Sequence, residues 1–137
     1  MIGASLLGSD CSQQKTVARV IYNEARGEGK AGMACVADVI YERMNNLNAY
    51  QVVTAPMQFD GINYNNVNWE SKEAKFCLRL ADKLQRGQDI ILDHRFTHFY
   101  SGKAPYWAFN QKKTVIGNHT FLELQWNIWQ LDRLQSA

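Results

Sequence analysis

The sequence predicts an α+β domain, mostly helical, with a small antiparallel β lobe toward its C-terminal end. Three observations point there. Apolar residues recur at helical spacing in four separate stretches. The period then changes to alternation in the aromatic run Phe96-Thr97-His98-Phe99-Tyr100. A length of 137 residues, 46% hydrophobic and 20% charged, fits one core and a single domain over 1–137.

The first helix is expected from about Asp10, where Asp10 and Gln13 have capping-box spacing. Val17, Val20, Ile21 and Glu24 fall on one face, so an apolar stripe ends in a carboxylic acid. Gly27 and Gly29 close that helix. A second runs from Lys30 or Ala31 to about Met44, with Met33, Val36, Ala37, Ile40 and Met44 inward. The asparagine-rich stretch Asn63 to Asn68 reads as a solvated loop whose last member caps a third helix, Trp69 to Arg86, stopped by Gly87. Its buried face is Phe76, Cys77, Leu80, Ala81 and Leu84. Phe96 to Tyr100 and Lys113 to Ile116 read as two strands of a hairpin across the long aromatic link Ser101 to Lys112. A fourth helix is expected over Leu122 to Leu134, with Leu124, Ile128 and Leu131 inward.

Composition excludes several classes. A net charge of +2 is too small to argue for nucleic acid. No apolar run approaches the ~20 residues needed to cross a bilayer. Met1 to Gly8 carries no basic region, so no secretory signal is expected. Cys11, Cys35 and Cys77 are odd in number and unpaired in spacing, and read as reduced thiols. There is no internal repeat and no low-complexity tract.

The chemistry-bearing residues are few. Glu24 ends an apolar face at a helix C-terminus, where burial and the negative end of the dipole both raise a carboxyl pKa. A carboxyl kept protonated can give its proton to a leaving oxygen. The competing reading is a boundary residue paired with Arg19 or Arg26. Glu28 is either a second working carboxylate or a loop acid in a structural ion pair. His94, His98 and His119 do not have zinc-site spacing, since in a strand His94 and His98 would share a face ~13 Å apart. His98 reads as a cleft-wall residue or a satisfied core histidine. No serine-hydrolase elbow or P-loop is present, and the cysteines sit on apolar faces or near the terminus. Phe96, Phe99, Tyr100, Tyr106, Trp107 and Phe109, with plentiful amide side chains, suit a sugar polymer, though about half of such aromatics build cores.

Four blocks carry a resemblance. They are Ala18 to Gly29, with the signature Glu24-Ala25-Arg26-Gly27-Glu28; Gly32 to Met44; Gln58-Phe59; and the closing set Thr97-His98-Phe99-Tyr100, Pro105-Tyr106-Trp107 and Ile116-Gly117-Asn118-His119-Thr120-Phe121. In this order, across most of the chain, they resemble the SleB-type cell-wall hydrolases, or spore-cortex lytic enzymes. Where the family often has Asn-Arg, this chain has Glu42-Arg43. The resemblance implies a peptidoglycan-cleaving enzyme with a fold similar to lysozymes and lytic transglycosylases, and Glu24 as its catalytic acid. It favours cleavage between N-acetylmuramic acid and N-acetylglucosamine by a lytic transglycosylase, giving 1,6-anhydro-muramic ends. The alternatives are a hydrolytic muramidase, with Glu28 or Asp93 as the second group, and a non-catalytic peptidoglycan-binding module. His98, Tyr100, Trp107 and Asn118 are the candidates for the substrate-binding wall opposite Glu24.

No metal and no organic cofactor is required. The expected partner is a peptidoglycan glycan strand, with neither nucleic acid nor stable membrane insertion, and the expected state is a monomer. Neither an export signal nor a separate wall-binding domain is expected, and in this the sequence looks like a phage endolysin, expected to be held in the host cytoplasm until lysis. A prophage-derived bacterial enzyme fits equally. A zinc amidase and a nucleic-acid binder are the remaining rivals, and neither explains an acid at the end of an apolar stripe.

Overall fold

The computed structural model describes residues 2–90, 96–108 and 111–123, with side chains from residue 11 onward. Four helices come first: α1 (Ile2–Glu24), α2 (Gly29–Met44), α3 (Ala49–Thr54) and α4 (Lys72–Gln85). A 3-10 turn over Asp60–Asn63 separates α3 from α4, and a second lies at Tyr106–Ala108. Three short strands form the lobe: β1 (His98–Ser101), β2 (Lys113–Ile116) and β3 (His119–Leu122). The expected α+β class, mostly helical with a small antiparallel sheet, is what the chain adopts. No helix among the described residues is long and apolar enough to cross a membrane.

The central element is α2. Val36, Ala37, Val39 and Ile40 are all fully buried, and Met33 and Cys35 nearly so. Its buried surface is wider than the single stripe the sequence suggests, because α1, α3, α4 and β1 all pack on it. Asp38 is fully buried among these residues and accepts the Phe96 N–H at 2.6 Å. That bond satisfies a main-chain donor just before β1 and ties the sheet to the central helix. Burial pushes the Cys35 thiol up to about 11 and the Cys77 thiol, on α4, up to about 12; Asp38 and Glu73 respectively add to the shift. Cys11 is exposed.

Helix boundaries differ from the sequence reading in three places. Helix α1 runs straight through Asp10, so the Asp10–Gln13 spacing does not cap it. Ala4, Leu6 and Leu7 are good helix formers and let the helix continue upstream. Helix α4 is capped by Ser71, whose Oγ accepts the Ala74 N–H at 3.1 Å. Asn68 instead forms a side-chain turn just before it, accepting the Glu70 N–H at 3.1 Å. The short helix α3 was not anticipated. Asn48 and Gln51 cap it reciprocally, at 2.8 and 2.9 Å. At the far end of α4 the Gly87 stop is as expected. Gly87 has φ +72, and the Gly87 and Gln88 N–H groups close a Schellman motif on Leu84 and Lys83, both at 2.9 Å.

The sheet is three-stranded with order β1-β3-β2, antiparallel throughout. The two strands expected to pair with each other are therefore its edges, and β3 lies between them. The tight hairpin is β2–β3, joined by Gly117-Asn118 alone. Gly117 has φ +59 and Asn118 has no positive φ, the pattern of a type II′ turn. Leu122 ends β3, and so does not open a fourth helix; the rest of that expected helix lies outside the described residues.

Register assigns the two faces of the sheet. Phe99, Thr114, Ile116, His119 and Phe121 point one way, toward the helices. Tyr100 and Leu122 point the other way and pack with Trp107 and Ala108. Phe121 is fully buried, with Phe96 and Phe99 at ring separations of 5.3 and 5.6 Å. Replacing Phe121 with alanine is expected to lower the unfolding free energy by roughly 3–5 kcal/mol. Urea unfolding monitored by circular dichroism measures this, and a loss under 1 kcal/mol would mean that the aromatic stack does not hold the sheet to the helices.

Candidate active site

Glu24 is the last residue of α1, and its carboxyl turns toward the 3-10 turn at Asp60–Asn63. The Gly61 N–H donates to Glu24 Oε2 at 2.5 Å. Two other side chains of α1 hold the turn in place. Asn23 Nδ2 donates to the carbonyls of Gly61 and Tyr64 at 3.3 and 3.2 Å, and Arg19 Nη2 donates to that of Ile62 at 3.3 Å. Glycine is needed at 61 because of this approach. An added Cβ would stand 3.0 Å from Glu24 Oε2 and 3.1 Å from both Asn23 Cβ and the Val20 carbonyl oxygen. Glu24 thus does not form the Arg19 pair considered from the sequence, because Arg19 is spent on the turn.

The electrostatics of Glu24 are opposed. Burial pushes its carboxyl above the ordinary 4.5, and the Gly61 hydrogen bond pulls it back. The neighbouring Asp60 charge pushes it up, and His119 pulls it down. The balance is a raised value, as expected of an acid on an apolar stripe. Asp60 is itself held at the surface by Asn63 Nδ2 at 3.4 Å and the Tyr64 hydroxyl at 3.3 Å.

Glu28 has a different environment. Its side chain is 3% exposed, just past the Gly27 turn. Oε2 accepts the Asn118 N–H at 2.8 Å, and Oε1 is paired with His119 Nδ1. Two glycines make the space. A Cβ on Gly32, one turn into α2, or on Gly117, in the hairpin turn, would overlap the Glu28 side chain. Both Glu28 oxygens are occupied by partners 90 and 91 residues away in sequence.

The remaining candidates separate into two groups. Asn118 joins the site through its main-chain N–H, with its side chain exposed on the turn. His98, Tyr100 and Trp107 form a group of their own. His98 is 3% exposed, its ring 4.9 Å from Trp107, and its Nδ1 is 3.0 Å from the Thr97 hydroxyl. Burial, aided by Arg43, pushes His98 down to about 3, which keeps it neutral. Tyr100 meets Trp107 edge-on at 6.3 Å. Strand alternation puts Tyr100 on the sheet face away from His119. The hollow beside it, about 730 Å³, is lined in part by Pro105, Tyr106 and Lys112, and Glu24 is not among its lining residues. Asp93 and His94 lie outside the described residues. Among the described residues no group of three or more His, Cys, Asp or Glu is placed to hold a metal ion.

Three residues at the site were not singled out for it from the sequence: Asp60, Gly61 and His119. The Asp-Gly dipeptide directly after Gln58-Phe59 is a turn signal. The Gly117-Asn118 pair between alternating residues is a hairpin signal that places His119 at the start of the returning strand.

Glu24→Gln keeps an acceptor for the Gly61 N–H while removing a half-buried charge. A carboxyl whose folded pKa is raised stabilises the fold fully below its unfolded value and loses that contribution as pH rises through the folded value. Glu24→Gln is therefore expected to melt at or above the parent temperature at pH 7, with the difference vanishing below pH 4.5. Thermal melts at the two pH values check this, and a variant less stable at pH 7 contradicts the burial argument.

Comparison with known proteins gives the chain a family. The family described as Cell Wall Hydrolase matches residues 27–122. The match takes in Glu28, Asp60, Gly61 and His119, and begins three residues after Glu24. A search of curated proteins finds no significant match. Among solved structures, the crystal structure of the catalytic domain of the Bacillus cereus SleB protein superposes with a TM-score of 0.60 at 22% identity, covering 81% of this chain and 89% of that one. That likeness is one of fold. With the family match spanning well over half of its length, this chain belongs to the cell wall hydrolase family.

Proposed function

We propose that this cell wall hydrolase cuts the glycan strand of peptidoglycan between N-acetylmuramic acid and N-acetylglucosamine, as a lytic transglycosylase with Glu24 as both acid and base. The observation that carries this reading is the contrast between two carboxyls four residues apart. Glu24 has one hydrogen bond and a raised pKa. Glu28 has both oxygens occupied by main chain and imidazole. One carboxyl is thus left to react, and the transglycosylase route needs only one.

The proton balance is simple. The Gly61 bond occupies Glu24 Oε2, leaving Oε1 to carry the proton. That proton passes to the glycosidic oxygen as the bond to the muramic C1 breaks, and positive charge develops on the sugar. The Glu24 carboxylate then takes the proton from the sugar's own 6-hydroxyl, whose oxygen closes on C1. The product is a 1,6-anhydro end, one water lighter than a hydrolysed end, and Glu24 is protonated again.

Hydrolysis by a muramidase is the second reading, and Asp60 is what favours it. It is the other acid whose charge acts on Glu24, and it is exposed to solvent. Mass analysis of sugars released from purified peptidoglycan separates the two. Anhydro-muramic ends are expected, and reducing ends would overturn the transglycosylase reading in favour of hydrolysis. Glu24→Gln is expected to lower the rate at least ~10²-fold. Activity is also expected to fall as pH rises through the raised Glu24 pKa, because only the protonated form can act as the acid. Wall clearance by Glu24→Gln at the parent rate would sink the assignment.

A further inference from the structure

Gly61 is gripped at both ends by consecutive side chains of α1. Glu24 Oε2 accepts its N–H at 2.5 Å, and Asn23 Nδ2 donates to its carbonyl at 3.3 Å. The same Asn23 nitrogen donates to the Tyr64 carbonyl at 3.2 Å, just beyond the turn. A side-chain amide nitrogen carries two protons, so Asn23 can serve both carbonyls at once. It takes no part in the proton transfers above.

We propose that Asn23 is a positioning residue for the reacting carboxyl: by holding the Gly61 carbonyl it keeps the Gly61 N–H on Glu24 Oε2, and so leaves the transferable proton on Oε1. This deepens the proposed function and rests on Glu24 being the acid.

The turn over Asp60–Asn63 needs such a hold. Its own main-chain bonds, from Ile62 to Phe59 and from Tyr64 to Gly61, are both long at 3.4 Å. Its entry is fixed by Phe59, which is buried in the core with the Arg43 guanidinium 5.5 Å from its ring. Its exit is fixed from α1, by Arg19 on the Ile62 carbonyl and by Asn23 on those of Gly61 and Tyr64. Of these two, Asn23 acts on the residue that meets the acid. The approach is close, since a Cβ on Gly61 would stand 3.1 Å from Asn23 Cβ and 3.0 Å from Glu24 Oε2. Asn23 and Glu24 are neighbours on one helix, so a donor held by the first is aimed at the second.

An oxygen that accepts an N–H is a poor place for the acid's own proton, which therefore sits on the other oxygen. The same donor favours the carboxylate, the form Glu24 takes after giving up its proton. The other titratable groups acting on Glu24 are Asp60 from the turn, which opposes its ionisation, and His119 from β3, which favours it. Asp60 rides on the same turn, but its effect on Glu24 is smaller than that of the Gly61 bond. Loosening the turn is therefore expected to disfavour the anion.

Proton–nitrogen NMR of the parent enzyme reads the contact without any mutation. The Gly61 amide proton is expected far downfield, with a pH titration step that disappears in Glu24→Gln. Asn23→Leu keeps the side-chain bulk and suits a helix, but has no donor. It is expected to move the Gly61 amide upfield and to lower kcat on soluble glycan strands roughly 10-fold, with KM little changed. The falling alkaline limb of kcat/KM is expected at higher pH than in the parent. Asn23→Ala is expected to give the same shifts with less bulk at the turn. A Gly61 amide that shows no step belonging to Glu24, or an alkaline limb that stays in place in both Asn23 variants, overturns the proposal. Full activity of Glu24→Gln would instead overturn the functional reading, because the amide step tests the contact and not the reaction.

Discussion

A buried carboxylate joins the α1–α2 turn of this protein to its β2–β3 hairpin. Glu28 leaves the α1–α2 turn and ends in contact with the β2–β3 turn, where it holds Asn118 and His119. The apolar contacts around Phe121 press the sheet onto the helices, but apolar packing is non-directional and tolerates sliding. A carboxylate with both oxygens assigned tolerates none without leaving a buried acceptor unpaired. The position of His119 relative to the end of α1 follows from it. So do the glycines at 32 and 117, whose side chains would otherwise fill the same space.

Two glutamates four residues apart illustrate how environment divides labour. A continuing helix would have put them on one face with similar surroundings. Gly27, with φ +86, ends α1 after Glu24 and sends Glu28 toward the sheet instead. One acid is then satisfied by two donors, and the other is left with one donor, an apolar flank and the like charge of Asp60. Pairs of titratable groups pushed apart in this way are a signature of acid–base sites. The same turn that separates them brings Glu28 to His119.

The helices were legible where their period was strong. The span of α2 and the inward face of α4 follow from apolar spacing alone, and Gly87 stops α4 where expected. Glu24 was legible for the same reason, as the polar residue that completes an apolar stripe. The sheet order was not, because alternation identifies strands without naming their partners. The long Ser101–Lys112 link looked like a hairpin loop, while the two-residue Gly117-Asn118 turn is the one that forms a hairpin. The role of Glu28 was not legible either, since its partners lie 90 and 91 residues away and no local pattern announces them. His98, Tyr100 and Trp107 look alike in sequence to residues around a sugar. Only the register shows that they gather on the sheet face turned from His119.

The two inward-facing thiols carry a consequence for the conditions this fold can tolerate. Cys35 and Cys77 are buried, and their ionisation is displaced to about 11 and about 12. Disulfide exchange and oxidation proceed through the thiolate, so at neutral pH these sulfurs are nearly inert. The core has no cross-link to lose in a reducing medium and offers few thiolates to one that oxidises. Its covalent structure is therefore the same on either side of a redox boundary, and no disulfide helps to carry the fold. Cys11, exposed on α1, is the position where such a boundary would leave a chemical trace.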